Sequence, residues 1–148
     1  MNDFYITPFS EEHVKEAAKI EKETFSEPWS SEAMLLLCSD EYPSLALVDQ
    51  NGEVCGYIGS ARALDELQII NVAVRSDKRR RGYASALLSA FDALCSELGI
   101  VSVSLEVRES NLAARTLYER FGYAAVGKRR RFYRSPAEDA VVMVKNFN

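Results

Sequence analysis

The residues best suited to hold an anion lie in the stretch Arg75-Ser76-Asp77-Lys78-Arg79-Arg80-Arg81-Gly82-Tyr83-Ala84. It joins a run that reads as a strand, 66–74 (ELQIINVAV), to one with the period of a helix. A turn entering a helix aims unpaired backbone N–H groups at one point, and the helix dipole adds partial positive charge there. Together these bind phosphate. Gly82 lets a ligand come close to the backbone, and Ala84 keeps the first turn thin. Arginines in the turn supply charge-assisted bonds to phosphate oxygens. A solvated basic loop is the plainer alternative; the flanking strand and amphipathic helix favour the phosphate site. The turn is neither a Walker loop nor a Rossmann turn, since GxxxxGK[ST] and GxGxxG are both absent.

Other reactive side chains are ambiguous by position. In 101–107 (VSVSLEV), Val101, Val103, Leu105 and Val107 share one face of a strand, and Ser102, Ser104 and Glu106 the other. Glu106 there reads as a solvated strand-end carboxylate paired with Arg108 or Lys78. Tyr118 shares a helical stripe with Ala114, Leu117 and Phe121, which is usually a core position. Asn111 caps that helix. The only histidine, His13, reads as a surface or boundary residue of the first helix, and neither GxSxG nor HExxH occurs.

The elements that must position these groups follow from pattern. A short strand is expected at 3–8, then a helix capped by Ser10 with Val14, Ala17, Ala18 and Glu21 on its inner stripe. FSEPWS (25–30) breaks it, and Ser30 or Ser31 caps a second helix through AMLLLC. Strands at 44–48 and 53–62 flank the hairpin signal Asn51-Gly52. The strand at 66–74 is apolar on both faces, as a covered central strand should be. In the long helix that follows, Ala84, Leu87, Leu88, Phe91, Leu94, Cys95 and Leu98 form the stripe and Gly99 ends it. The 101–107 strand, the short helix closed by Gly122, and strands at 124–133 and 139–145 complete the chain. The order β α α β β β α β α β β specifies an α/β fold: a mixed sheet with helices on both faces.

The 148 residues fit one domain, 1–148, with 47% hydrophobic and 27% charged residues. The net charge is −4, yet two KRRR runs, 78–81 and 128–131, hold 8 of the 18 Lys+Arg. Concentrated basicity suits local anion contacts better than a surface that coats nucleic acid. Cys38, Cys55 and Cys95 are widely spaced with no CxxC pair, so reduced thiols, no metal and a cytoplasmic setting are expected. The N-terminus has no signal-peptide pattern, and the longest apolar run is too short for a bilayer.

Arg79-Arg80-Arg81-Gly82-Tyr83-Ala84 matches [Q/R]-x-x-G-x-[G/A] and resembles the acetyl-CoA pyrophosphate loop of the GNAT acetyltransferases. Asn71-Val72-Ala73-Val74 resembles their splayed central strand. With FSEPWS, LEVRESNLAARTLYERFGY and EDAVVM, the resemblance covers essentially the whole chain and extends to the RimI-like branch. That branch acetylates the N-terminal alanine of a small-subunit ribosomal protein. The resemblance implies the GNAT fold and acetyl-CoA as cosubstrate. It implies that Val72, Ala73, Val74, Arg79, Arg80, Arg81, Gly82, Tyr83, Ala84, Ser85 and Asn111 hold the cosubstrate. It casts Glu106 as general base, through water if need be, and Tyr118 as the acid for the coenzyme A sulfur. It places Trp29 and Tyr133 on the acceptor groove, bordered by the second KRRR strand and the loop 134–139. Relatives often carry Tyr-Tyr where this chain has Phe132-Tyr133.

Acetyl transfer from a thioester needs a neutral amine, a stabilised oxyanion and a proton for the thiolate. An α-amine of pKa ~7.8 is roughly 15% neutral at pH 7, and a lysine of pKa ~10.4 about 0.04%. One carboxylate base therefore suits a protein N-terminus. A monomer with a protein acceptor, no membrane and no direct nucleic-acid partner is expected. A GNAT acting on lysine or a small amine is the alternative enzyme; a non-catalytic CoA- or nucleic-acid-binding module is the alternative class.

Overall fold

The computed structural model describes residues 3–147. The elements are β1 (Phe4–Pro8), α1 (Glu11–Thr24), α2 (Ser31–Met34), β2 (Leu45–Asp49), β3 (Val54–Ala63), β4 (Glu66–Val74), α3 (Tyr83–Leu98), β5 (Ser102–Arg108), α4 (Leu112–Arg120), β6 (Ala124–Arg134) and β7 (Ala137–Asn146). The order read from the sequence holds throughout. The strands form one sheet, β1-β2-β3-β4-β5-β7-β6. All neighbours run antiparallel except β4 and β5, which are parallel. A parallel pair needs a crossover, and α3 supplies it.

Each face of the sheet carries its own core. Ala17 and Ile20 of α1 and Met34 of α2 pack on Tyr57 and Ala73. Leu87 and Phe91 of α3 and Tyr118 of α4 pack on the other face, against Leu67, Val103 and Leu105. Ser30 caps α2 by accepting from the Ala33 N–H (3.1 Å), and Gly99, at φ 70°, ends α3 in the left-handed conformation. Among the described residues no helix is long and apolar enough to cross a membrane.

Several expectations need correction. His13 is buried at 4% exposure. Its Nδ1 accepts the Ser10 N–H (3.0 Å) and its ring packs on Phe9 (5.8 Å), so it serves as part of the helix cap. The second helix does not run regularly through AMLLLC. It tightens to a 3-10 turn over Leu35–Cys38, where both the N–H and the hydroxyl of Ser39 turn back to the Leu36 carbonyl. Val101 precedes β5 and is 45% exposed. The loop expected at 134–139 is a tight turn at Ser135-Pro136, with Arg134 already paired to Ala137. The second KRRR run, on β6, does not keep regular pairing with β7. Arg129 pairs with Ala140 but Tyr133 with Glu138, so β6 spends extra residues in a bulge. Arg131 sits there at φ 50°, its N–H held by Asp139 Oδ1 (2.9 Å).

Candidate active site

The site begins with a break in the sheet. β4 and β5 pair only over Glu66↔Ser102, Leu67↔Val103 and Gln68↔Ser104, although β4 runs on to Val74 and β5 to Arg108. Beyond Gln68 the strands diverge. The divergence coincides with a bulge in β4: Gly59 and Ser60 of β3 face Asn71 and Ile69, so Ile70 has no partner. An extra residue bends its strand. Val72, Ala73 and Val74 therefore present a backbone edge to an opening where another extended chain can pair.

Next to this edge stands the cradle. Arg80 (φ 66°) and Gly82 (φ 77°) are both left-handed, which turns successive N–H groups toward one side. Among the described residues, no protein acceptor takes the backbone N–H groups of Arg79 through Ser85; the first such bond is Ala86 N–H to Gly82 O (3.0 Å). Nothing lies within 4 Å of where a Gly82 side chain would start. The side chains are less uniform. Arg79 Nε turns back to the Val74 carbonyl (3.2 Å), and Tyr83 is buried against Phe4 (5.1 Å between ring centres). Tyr83 thus offers only its backbone, whereas Arg80 and Arg81 are exposed. An anionic, phosphate-bearing group fits this uncapped, positively charged rim.

Glu106 and Tyr118 lie on opposite faces of the sheet. Glu106 alternates away from Leu105 and Val107, which pack with Tyr118 in the α3–α4 core. Its side chain is 12% exposed. It accepts from Gln68 Nε2 (2.9 Å) and meets Arg129 Nε at 3.5 Å. Neither Arg108 nor Lys78 is its partner, contrary to expectation, because strand order brings β6 in by way of β7. Tyr118 is 8% exposed, with its ring edge-on to Tyr123. Burial, and then the nearby Tyr133, hold its phenol well above the usual range. It is fully protonated at neutral pH. Asn111 caps α4 by accepting the Ala114 N–H (3.2 Å).

On the Glu106 face, Arg108 joins the α1–α2 loop to the β6–β7 turn. Its guanidinium donates to Ser26 Oγ (3.1 Å) on the α1–α2 loop, to the Ser135 (3.2 Å) and Pro136 (2.9 Å) carbonyls, and to Glu138 (3.2 Å). It also lies 4.3 Å above the Tyr133 ring. Burial pushes the Tyr133 phenol up to about 12, against the pull of Arg108, while Glu106, Glu138 and Glu27 push it further up. Trp29, half-buried on the α1–α2 loop, packs against the core of the α1 face.

A scan against family models matches residues 14–123 to the Acetyltransferase (GNAT) family. The chain belongs to this family. The GNAT segment holds the splayed strands, the cradle, Glu106 and Tyr118, while β6 and β7 lie beyond it. The chain is 33% identical over 129 residues to the Escherichia coli (strain K12) protein named [Ribosomal protein bS18]-alanine N-acetyltransferase, covering 86% of each chain. The solved structure of the ribosomal-protein-S18-alanine N-acetyltransferase from Escherichia coli superposes with a TM-score of 0.89 at 30% identity, covering 97% of this chain and 93% of that one. Arabidopsis thaliana NAA60 in complex with acetyl-CoA has the same fold, with a TM-score of 0.88 at 20% identity and coverage of 97% and 99%. The protein is an acetyltransferase of the GNAT type, similar to the RimI enzymes.

Within this GNAT frame, sequence reasoning gave no role to Gln68, Arg129, the clasp of Arg108 or Glu21, the carboxylate it placed on the inner stripe of α1. The first three had no signal, since their contacts cross the sheet. Glu21 did have one: it is a charged residue at a position of α1 otherwise reserved for Val14, Ala17 and Ile20. Its side chain is 1% exposed.

Proposed function

We propose that the protein transfers the acetyl group of acetyl-CoA to the N-terminal α-amine of a protein, with the alanine N-terminus of ribosomal protein bS18 as the acceptor. The observation that carries this reading is the opening between β4 and β5 with Glu106 on one face and a buried, protonated Tyr118 on the other.

The residues fit acetyl-CoA as donor. The N–H groups of residues 79–85 and the exposed Arg80 and Arg81 would take the pyrophosphate. The free edge of Val72, Ala73 and Val74 would pair with the amide-bearing arm. When bound, acetyl-CoA supplies the thioester carbonyl. Glu106 then accepts a proton from the incoming ammonium, directly or through one water, and the neutral nitrogen forms the C–N bond. As the C–S bond breaks, Tyr118 would donate its hydroxyl proton to the sulfur; the newly bonded nitrogen loses its second proton to solvent, from which Tyr118 is reprotonated, and Glu106 releases the proton it took to water. Trp29 and Tyr133 line the two walls that the acceptor peptide enters between.

Thiol release from acetyl-CoA tests this with three acceptors: a peptide with a free N-terminal alanine, the same peptide blocked at the α-amine but carrying lysine, and a mixture of small amines. Release with the free alanine peptide alone is expected. Release only with lysine or small amines would keep the fold and donor and overturn the acceptor.

A further inference from the structure

Glu21 is a carboxylate placed in the core with three donors around it. Oε1 accepts from the Tyr57 hydroxyl of β3 and from Asn71 Nδ2 of β4 (2.5 Å). Oε2 accepts the backbone N–H of Trp29 (3.0 Å) on the α1–α2 loop. Burying a carboxylate is costly unless hydrogen bonds compensate it, and here each donor comes from a different element. The two ends of the contact also have distinct places in the site. Asn71 immediately follows Ile70, the bulge residue at which β4 leaves β5. Trp29 belongs to the loop whose other end, Ser26, is held by Arg108. The loop is therefore pinned twice: at Ser26 to the β6–β7 turn, and at Trp29 to the strand that borders the donor opening.

We propose that Glu21 is a positioning residue for the acceptor, setting the Trp29 wall of the groove at a fixed distance from β4. This rests on the reading of Trp29 as part of that groove. The carboxylate divides its work by oxygen: Oε1 anchors to the sheet and Oε2 reaches the loop. A neutral side chain cannot accept at both ends. Glutamine there must turn a donor either toward the Trp29 N–H or toward Tyr57 and Asn71, and alanine loses both contacts. Neither change touches the cradle or Glu106. The consequence is selective: binding of the acceptor weakens while binding of acetyl-CoA does not.

Trp29 is the only tryptophan, so its fluorescence reports the loop directly and needs no substrate. For Glu21→Ala, the KM of the alanine peptide should rise about tenfold, inside the roughly 100-fold that an ångström of misplacement can cost, with the KM of acetyl-CoA within about twofold. Trp29 emission should move to the red and become more open to iodide quenching. Glu21→Gln should shift both readouts in the same direction by less, and it carries the test if the alanine variant does not fold. Tyr57→Phe is the control for lost stability. It removes one donor behind the carboxylate and leaves the Trp29 contact, so Tm should fall while peptide KM and Trp29 emission hold. The proposal is overturned if Glu21→Gln leaves peptide KM and emission unchanged. It is equally overturned if Tyr57→Phe reproduces both changes in proportion to its lost stability. A wild-type enzyme inert to every peptide would overturn the acceptor role through the groove reading itself, while unchanged emission in the variants would reject the hold on the loop separately.

Discussion

Replacing Glu106 by glutamine removes the proposed base while leaving its surroundings nearly intact. The retained oxygen can still accept from Gln68 Nε2, now at 2.9 Å. What is lost is the charge facing Arg129, a contact at 3.5 Å to a side chain that is 60% exposed. Such a pair contributes at most about 0.5–1 kcal/mol. For a chain of this size that is about 2–4 °C in Tm at the upper limit. The chemical loss should be much larger. Positioned acid–base catalysis contributes about 100- to 10,000-fold, or about 3–5 kcal/mol at 1.36 kcal/mol per decade. Glu106→Gln should therefore lower kcat with the alanine peptide by at least about 100-fold. Both KM values should stay within about threefold, because the cradle and the Trp29 wall are untouched. The variant should also remain sensitive to the state of its substrate. Its kcat/KM should climb as pH passes the amine pKa of ~7.8 and level off about sevenfold above its value at pH 7. Continuous thiol release gives the rates, and thermal unfolding shows how much protein is folded. A loss below about tenfold in kcat with folded protein would refute the assignment of Glu106 as base. A large rise in peptide KM at unchanged kcat would instead make it a binding group.

Two further outcomes follow from the same geometry. Tyr118→Phe keeps the ring that packs on Tyr123 and removes only the hydroxyl, so kcat should fall about 100-fold or more with little change in the KM of acetyl-CoA; activity within threefold of wild type would remove Tyr118 from the mechanism. Glu138 is held below the usual carboxylate range, first by the Ser110 hydroxyl and N–H (2.6 Å to the latter) and then by Arg108. A carboxyl depressed on folding adds stability above its unfolded value near ~4.3 and loses it as pH falls through the folded value. Glu138→Gln should accordingly lower Tm at pH 7 and converge with wild type below about pH 4; a Tm difference that persists at pH 3 would show that the clasp is not electrostatic.

Caps, turns and stripes were legible in the sequence because they are written within a few residues. Ser30 to Ala33, Asn111 to Ala114 and the left-handed glycines at 82, 99 and 122 are all local features. The alternation of Val103, Leu105 and Val107 against Glu106 was legible for the same reason, and so was the strand–turn–helix unit around Gly82, since its parts are contiguous. The contacts between distant elements were not. Gln68 meets Glu106 across 38 residues, Asn71 meets Glu21 across 50 and Ser26 meets Arg108 across 82. No spacing rule encodes such pairs; they exist because strand order puts β4 beside β5 and β7 beside both β5 and β6.

The amino-acid sequence by itself determined the element order and the two-faced sheet, because periodicity and capping act over one or two turns of chain, and its motifs carried the resemblance to the family. Only the tertiary structure decided that the parallel pair opens beyond Gln68. It also gave Glu106 the Arg129 guanidinium for a neighbour, and enclosed Glu21 among three donors. Each of these depends on a bulge or a crossover whose effect is felt one strand away, where a side chain's chemistry is set by what faces it and not by what precedes it.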